Sequence, residues 1–268
     1  MHALTGLILF AAVTFNQEEW LGKREMMSRE AERLEKVYDW CAAHLSNPAE
    51  KVRVPVDTHP DGSIKTIVLA DKAQMFIKES YVWAEGVTIG EMDNKKRPVG
   101  GVKAEKCAVD RNTRSGWIEG PAEATRDGMV LTGENAYLSS LEEYVTIFSK
   151  AMMTAPVSAL RKNGDTNGIV RISSDRADFD RKDGIICLDG RVRFDDGDYK
   201  LAANRAFAFL EGTNEVRKIE VIGSVAVTNG LRSARCNRAE YDCLTGQLMM
   251  YESNFEVETS ARNSILPR

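Results

Sequence analysis

Residues 174–194, SDRADFDRKDGIICLDGRVRF, decide the fold of this chain because their pattern occurs twice. In this stretch Asp175 is followed 15 positions later by Gly190, and upstream Asp71 is followed 15 positions later by Gly86. In both copies a similar strand segment that ends in glycine follows further along the chain. The repeating unit is roughly 30–35 residues long, which is typical of stacked supersecondary units. The chain is therefore predicted to be a stack of similar elements.

Those elements are predicted to be short antiparallel strands. Apolar residues alternate with polar ones, and turn signals such as Asp183-Gly184 separate the runs up to about residue 258. Alternation puts one set of side chains on an apolar interior face, with Cys187, Arg191 and Arg193 on the opposite face. The predicted interior positions are Ile186, Leu188, Val192, Phe194, Val221, Val225 and Val227 in the second copy and Ile118 in the first.

Composition narrows the possible functions. The chain has 36 basic and 40 acidic residues and a net charge of −4, so nucleic acid is not expected as a partner. None of the five cysteines shows zinc-ligand spacing, and no metal site is predicted. A Cys236–Cys243 bridge and separate thiols both stay open.

The N-terminal part differs from the strand-rich remainder. Residues 3–15, ALTGLILFAAVTF, are mostly apolar but shorter than the roughly 20 residues of a membrane span. Residues 1–16 are therefore predicted to be a short membrane anchor or export signal, with a buried helix as the alternative. Residues 17–50 are predicted to form an amphipathic helix, with an apolar stripe that includes Ala31, Leu34 and Cys41. This helix either packs on the body, separates it from a membrane, or binds a partner.

No catalytic constellation is recognisable in the sequence. The three histidines accompany no Ser or Cys nucleophile motif, and phosphate-binding glycine loops are missing. The carboxylate pairs Asp195-Asp196 and Glu142-Glu143 lie beside turns and are predicted to be solvated, although a polysaccharide-cleaving enzyme would use such a pair. We expect no enzyme activity and no cofactor.

The apolar interior is compatible with two structures. It is either a closed core or an open groove that shelters acyl chains, and the pattern of apolar residues alone does not distinguish them. Since each buried methylene is worth about 0.8 kcal/mol, a groove would hold several acyl chains without a catalytic group.

The second copy resembles the OstA-like repeat of lipopolysaccharide-transport proteins. The similarity lies in residues 174–194 and in the steps 219–227, IEVIGSVAV, and 234–241, ARCNRAEY. Residues 61–73 are similar to the opening strands of LptC, the membrane-anchored member. The resemblance implies a twisted β-jellyroll trough that holds the acyl chains of lipid A, with the eight interior residues named above touching lipid.

The resemblance also implies a place in the cell. Family members stack end to end between the inner-membrane ABC transporter and the outer membrane, so the expected partners are lipopolysaccharide, other jellyroll members and the transporter. The expected location is the periplasm, with the N-terminus anchored in the inner membrane. The chain departs from the LptC pattern in its inserted helix and its short anchor. In addition, strand alternation places Trp83 and Val87 on the face opposite to Ala84.

The predicted organisation has six parts. After the segments 1–16 and 17–50 come a first repeat block, a connecting loop, a second block and a tail, at 51–156, 157–169, 170–258 and 259–268. The competing hypothesis is a structural protein of the cell envelope that polymerises end to end without ligand, through terminal strands that carry Phe255 and Val257.

Overall fold

One helix and fourteen antiparallel strands form the described part of the protein, which confirms the predicted all-β stack preceded by a helix. The structure, a computed structural model, describes residues 16–252 apart from 127, 157–167, 196, 198, 212–214, 230–231, 244 and 246. The elements are α1 (Gln17–Ala43), β1 (Ala49–Thr58), β2 (Ile64–Phe76), β3 (Tyr81–Met92), β4 (Pro98–Asp110), β5 (Ser115–Arg126), β6 (Met129–Ser139), β7 (Tyr144–Pro156), β8 (Ile169–Ser174), β9 (Arg176–Asp180), β10 (Ile185–Asp195), β11 (Tyr199–Glu211), β12 (Glu215–Asn229), β13 (Arg232–Asp242) and β14 (Leu248–Tyr251).

The strands make a single continuous sheet. Each strand pairs with its neighbour in sequence order, except that β8 and β9 both lie between β7 and β10. The two predicted repeat blocks therefore share one sheet. Within the predicted connecting loop, residues 157–167 lie outside the described residues, and β8 begins at Ile169.

A line of β-bulges divides the sheet lengthwise. The pairing register shifts near the middle of most strands, for example between Asp189 and Val192 in β10 and between Ile222 and Val225 in β12. Bulges bend a strand and increase its twist, so their alignment folds the sheet along a crease. Between β7 and β10 there are two short strands, β8 and β9, where the rest of the sheet has one long strand. Asp175, which lies between β8 and β9, is at the crease.

Helix α1 covers one of the two halves. Asn16 caps it by accepting a hydrogen bond from the backbone N–H of Glu19 at 3.3 Å, and the buried residues recur at helical spacing. The helix ends at Ala43, so it is shorter than the predicted segment 17–50, because Pro48 and the start of β1 at Ala49 follow closely. We call the covered strand halves the α1 wall and the halves across the crease the bare wall.

The path of α1 runs across the strands. Twenty-seven residues span about 40 Å, which matches eight strand spacings of about 4.8 Å between β2 and β11. Its C-terminal half packs near Phe76 and Trp83, and its N-terminal residue Trp20 stacks edge-on against Phe207 at a ring-centroid distance of 5.6 Å. α1 thus spans both repeat blocks, in the direction opposite to chain order.

A single register row lies beneath α1. Its members are neighbours from strand to strand, and each is at most 4% exposed. The row consists of Trp83, Ala108, Trp117, Tyr137, Thr146, Asp178, Cys187 and Phe207. Beyond Phe207 the row continues as Glu220 and Glu240, which form ion pairs with Lys218 and Arg238. The apolar part of the row ends at Phe207, beside the N-terminal end of α1. The length of α1 therefore matches the length of the apolar row that it covers.

Candidate functional site

An apolar row runs the whole length of the sheet on the face away from α1, beside the crease. We call it the floor row. Small and large side chains alternate along most of it, so neighbours interlock, and most members are buried. The floor row consists of Ala73, Ala84, Cys107, Ile118, Ala136, Ile147, Ala177, Leu188, Ala206, Val221, Ala239 and Met250.

A second buried set lies across the crease in the bare wall. Its members pack in the same apolar clusters as the floor row, so the two sets together line the bottom of the folded sheet. The bulged strands hold the two sets four positions apart, as with Leu188 and Val192 in β10, whereas the partner strand β11 holds them three apart, at Ala206 and Ala203. This second set includes Ala70, Val87, Ala104, Ala151, Val192, Ala203, Val225 and Cys236.

Two higher rows form the rims of the trough. The α1-side rim, in the α1 wall, includes Met75, Val82, Val109, Leu138, Val145, Phe179, Ile186, Ala208, Ile219 and Leu248. The bare-side rim, in the bare wall, includes Val54, Val68, Ile89, Val102, Leu131, Met153, Ile172, Phe194, Leu201 and Val227. Both rims continue from strand to strand through both blocks.

All eight residues predicted to face the interior lie in this trough. Ile118, Leu188 and Val221 belong to the floor row, and Val192 and Val225 belong to the buried set across the crease. Phe194 and Val227 lie in the bare-side rim, and Ile186 lies in the α1-side rim. Leu188 joins three apolar clusters and so connects the floors of the two blocks.

The rims are apolar but incompletely buried. Met75 is 53% exposed, Val145 36% and Val54 46%, and most other rim residues are half-buried. In a closed core such side chains would contact one another and exclude water. The structure thus has a packed floor and an apolar opening, which is the geometry of a groove.

The repeated Asp–Gly spacing has a structural cause at the crease. Gly190 has φ +76°, and a Cβ placed there would lie 2.5 Å from Oδ2 of Asp175. Gly86 is equally crowded by Asp71. Each pair therefore packs a carboxylate side chain against the bulge of the following strand, and only glycine fits both the positive φ and the close approach.

Replacing Gly190 by alanine is therefore expected to lower the free energy of unfolding by about 2 kcal/mol, from the left-handed backbone and the displaced Asp175 side chain. Gly120→Ala is the matched control, because its φ is +79° but the nearest atom to its Cβ is 3.6 Å away. Urea unfolding of both variants measures the difference. Equal losses in the two variants would show that the contact with Asp175 contributes nothing.

Charged residues fasten the N-terminal half of α1 to the α1 wall. Arg24 Nε donates to Asp178 Oδ2 and its Nη1 donates to Asp189 Oδ2, each at 2.8 Å. Asp178 is fully buried and also accepts hydrogen bonds from Arg176 and from Thr146. Because the remaining oxygen sites of the carboxylate are filled by donors, burial of its charge is compensated.

The same junction shifts two carboxyl pKa values in opposite directions. Burial raises the pKa of Asp180 above its ordinary value, and the hydrogen bond from Lys23 offsets only part of this. For Asp189 burial acts in the same direction, but hydrogen bonds from Arg205 and Arg24 outweigh it and lower the pKa. Lys23 Nζ lies 2.6 Å from Asp180 Oδ2.

The described members of the two carboxylate pairs named in the sequence lie beside basic side chains. Glu142 and Glu143 lie in an exposed turn beside Lys182 and Arg181, at 3.3 and 3.6 Å. Asp195 lies 3.8 Å from Lys200, and Asp196 is outside the described residues. Within residues 16–252 as described, no group of three or more His, Cys, Asp or Glu is placed to hold a metal ion.

Other predictions concern parts of the chain beyond the described residues. The apolar run 3–15, the tail 259–268, and Phe255 and Val257 all belong to this category. Among the described helices, none has the length and apolar character needed to cross a membrane. The described cysteines are five separate thiols, and Cys107 and Cys236 line the trough.

Two comparisons with known proteins found similarities. Residues 171–265 match the family model of the LptA/LptD N-terminal domain of lipopolysaccharide-transport proteins. Among solved structures, the chain is similar to LptH, the LptA-homologous periplasmic component of the lipopolysaccharide transport device of Pseudomonas aeruginosa. The identity is 11% and the TM-score 0.35, over 63% of this chain and 89% of that one.

No curated protein matches the chain. The family match begins at Arg171 in β8 and takes in the whole second block, where the quoted motifs lie. Residues 171–265 therefore carry the signature of the LptA/LptD N-terminal domain, which confirms the OstA-like lipopolysaccharide-transport resemblance seen in the sequence.

Proposed function

We propose that the protein binds lipopolysaccharide in the periplasm and passes it toward the outer membrane, with the acyl chains of lipid A in the trough. The observation that carries this proposal is the pair of half-exposed apolar rims above a packed floor. Water-exposed rim side chains gain when acyl chains cover them, at about 25 cal/mol per Å² of apolar surface removed from water. The family match over the second block supports lipopolysaccharide as the lipid.

The proposal includes partners and location. The inner-membrane ABC transporter would supply the lipid and the energy, and other jellyroll proteins would receive the lipid at the ends of the sheet. β14 pairs with Arg238–Tyr241 of β13 and is the last strand of the described sheet, so we place the contact with a further jellyroll protein at this end. Attachment of the N-terminus to the inner membrane remains part of this proposal.

A carrier of this kind needs no catalytic group or cofactor, because transfer consists of moving acyl chains along an apolar surface. The competing structural hypothesis requires a dry, filled interior. The exposure of Met75, Val145 and Val54 weighs against it. The polysaccharide-cleaving alternative has no support at Glu142 or Glu143, which form ion pairs with exposed basic side chains.

Photo-crosslinking in cells tests the proposal. Phe194, a half-buried rim residue, is replaced by the photoreactive analogue benzoylphenylalanine, which is close to it in shape. The neighbouring Arg193 points to the other face and is exposed, so the same replacement there is the matched control. We expect a lipopolysaccharide adduct at 194 and none at 193.

Two results would contradict the proposal. One is the absence of an adduct at 194 in folded, correctly located protein, and the other is an equal adduct at both positions. The first would favour the structural hypothesis, and the second would indicate nonspecific contact with lipid.

A further inference from the structure

The two walls of the trough are supported very differently from outside. The α1 wall has a second layer, because the row from Trp83 to Phe207 is sealed beneath α1. On the bare wall the corresponding outer row is largely exposed, and it includes Leu69, Lys103 and Arg193. One wall is therefore a two-layer structure and the other a single sheet with solvent outside.

Electrostatic contacts strengthen this asymmetry. The side chains of Arg24 and Asp178, which join α1 to its wall, are 12% and 0% exposed. An exposed pair on the bare wall, Lys103 with Glu123, has side chains 70% and 39% exposed. Separating a buried pair leaves an uncompensated charge in an apolar environment, whereas an exposed pair is replaced by water at little cost.

The crease between the walls has the backbone conformations of a bend. Residues with positive φ lie there in strand after strand, between the floor row and the buried set across the crease. Four of them are glycines, which adopt this conformation without steric cost. The positions are Gly86, Gly120, Asn135, Lys150, Gly190, Arg191, Gly223 and Ser224.

We infer that the bare wall is the wall that yields when lipid enters or leaves, while α1 holds the α1 wall rigid across both blocks. This inference rests on the proposed function for its ligand, and it concerns how that same site opens. Deforming the α1 wall would separate Arg24 from Asp178 and expose Trp117 and Tyr137. Deforming the bare wall disturbs only a surface that already contacts water.

Hydrogen exchange with peptide-level mass analysis, on the full chain, tests the inference. Within β4 and β5, residues 98–104 and 121–125 belong to the bare wall and residues 106–119 to the α1 wall, so the same hairpin supplies its own control. In lipid-free protein we expect amides of the bare wall to exchange about tenfold faster than paired amides of the α1 wall. Loading with purified lipopolysaccharide should slow exchange in the bare wall by a similar factor and leave α1 and its wall within about twofold.

The two stages separate the inference from the proposed function. Equal exchange of the two walls in lipid-free protein would overturn the inference, whatever the protein binds. So would a change on loading that is shared by both walls or confined to the α1 wall. Failure to load any lipopolysaccharide, measured by blotting the repurified protein, would instead overturn the proposed function, and the lipid-free comparison would still decide the inference.

Discussion

Replacing Arg24 by alanine is expected to lower the free energy of unfolding by about 3 kcal/mol, because the substitution removes one partner of a buried charge. Asp178 has no exposed surface, and Arg24 bridges it to Asp189. Asp178 would keep its hydrogen bonds from Thr146 and Arg176, and Arg176 also donates to Ser28 of α1 at 3.0 Å. The direct ion pairs from the helix to Asp178 and Asp189 would nevertheless be lost. Urea unfolding followed by tryptophan fluorescence measures the loss.

Arg29→Ala is the matched control for this change. Arg29 lies on the same helix and also forms an ion pair, with Glu25, but the two side chains are 75% and 66% exposed. Exposed pairs of this kind contribute little, so we expect no measurable shift of the unfolding midpoint. An Arg24→Ala protein as stable as Arg29→Ala would show that the ion pairs do not hold α1 in place.

Leu34→Ala is expected to cost about 3 kcal/mol, through lost burial and the cavity that remains. Leu34 is completely buried in the cluster where α1 packs on the first block, together with Trp83 and Trp117. Met26→Ala is the control, because Met26 is another large apolar residue of α1 but is 54% exposed. Thermal unfolding of both variants measures the effect. Similar midpoints for the two variants would mean that α1 is not packed on the sheet.

The interior face of β10 and β12 in the second block was predictable from sequence because their apolar residues alternate cleanly. Leu188, Val192 and Phe194 keep the same parity, so a bulge between them does not disturb the pattern. In β11 the alternation breaks, since Ala203 and Ala206 both lie in the trough three positions apart. In the first block the pattern is harder to interpret. Ala84 and Val87 both lie in the trough although they are three residues apart, because the backbone at Gly86 between them has a positive φ of 64° and breaks the alternation.

Packing of α1 on the body was one of the three predicted alternatives, but the residues that α1 contacts were not predicted. Its main partners are distant in sequence, as Arg24 and Asp178 are 154 residues apart, and no local pattern reports such a pair. A usable signal was nevertheless present. Trp117-Ile118 in β5 and Ala206-Phe207 in β11 are adjacent apolar residues, which point to opposite faces of a strand. Strands that are apolar on both faces require a second layer.

The direction of α1 determines when the protein can complete its fold. The helix is made first, but Arg24 reaches Asp189, which follows 165 residues later in the chain. At translation rates of about 5–20 residues per second, the partners of the helix appear on the order of ten to thirty seconds after it. Until then the N-terminal part of α1, which includes Trp20, lacks the surface that it covers in the folded protein. Export in an unfolded state, or a chaperone that binds amphipathic helices, would keep the newly made chain from aggregating. Truncation before β10 would leave Trp20 without Phe207 and Arg24 without Asp189.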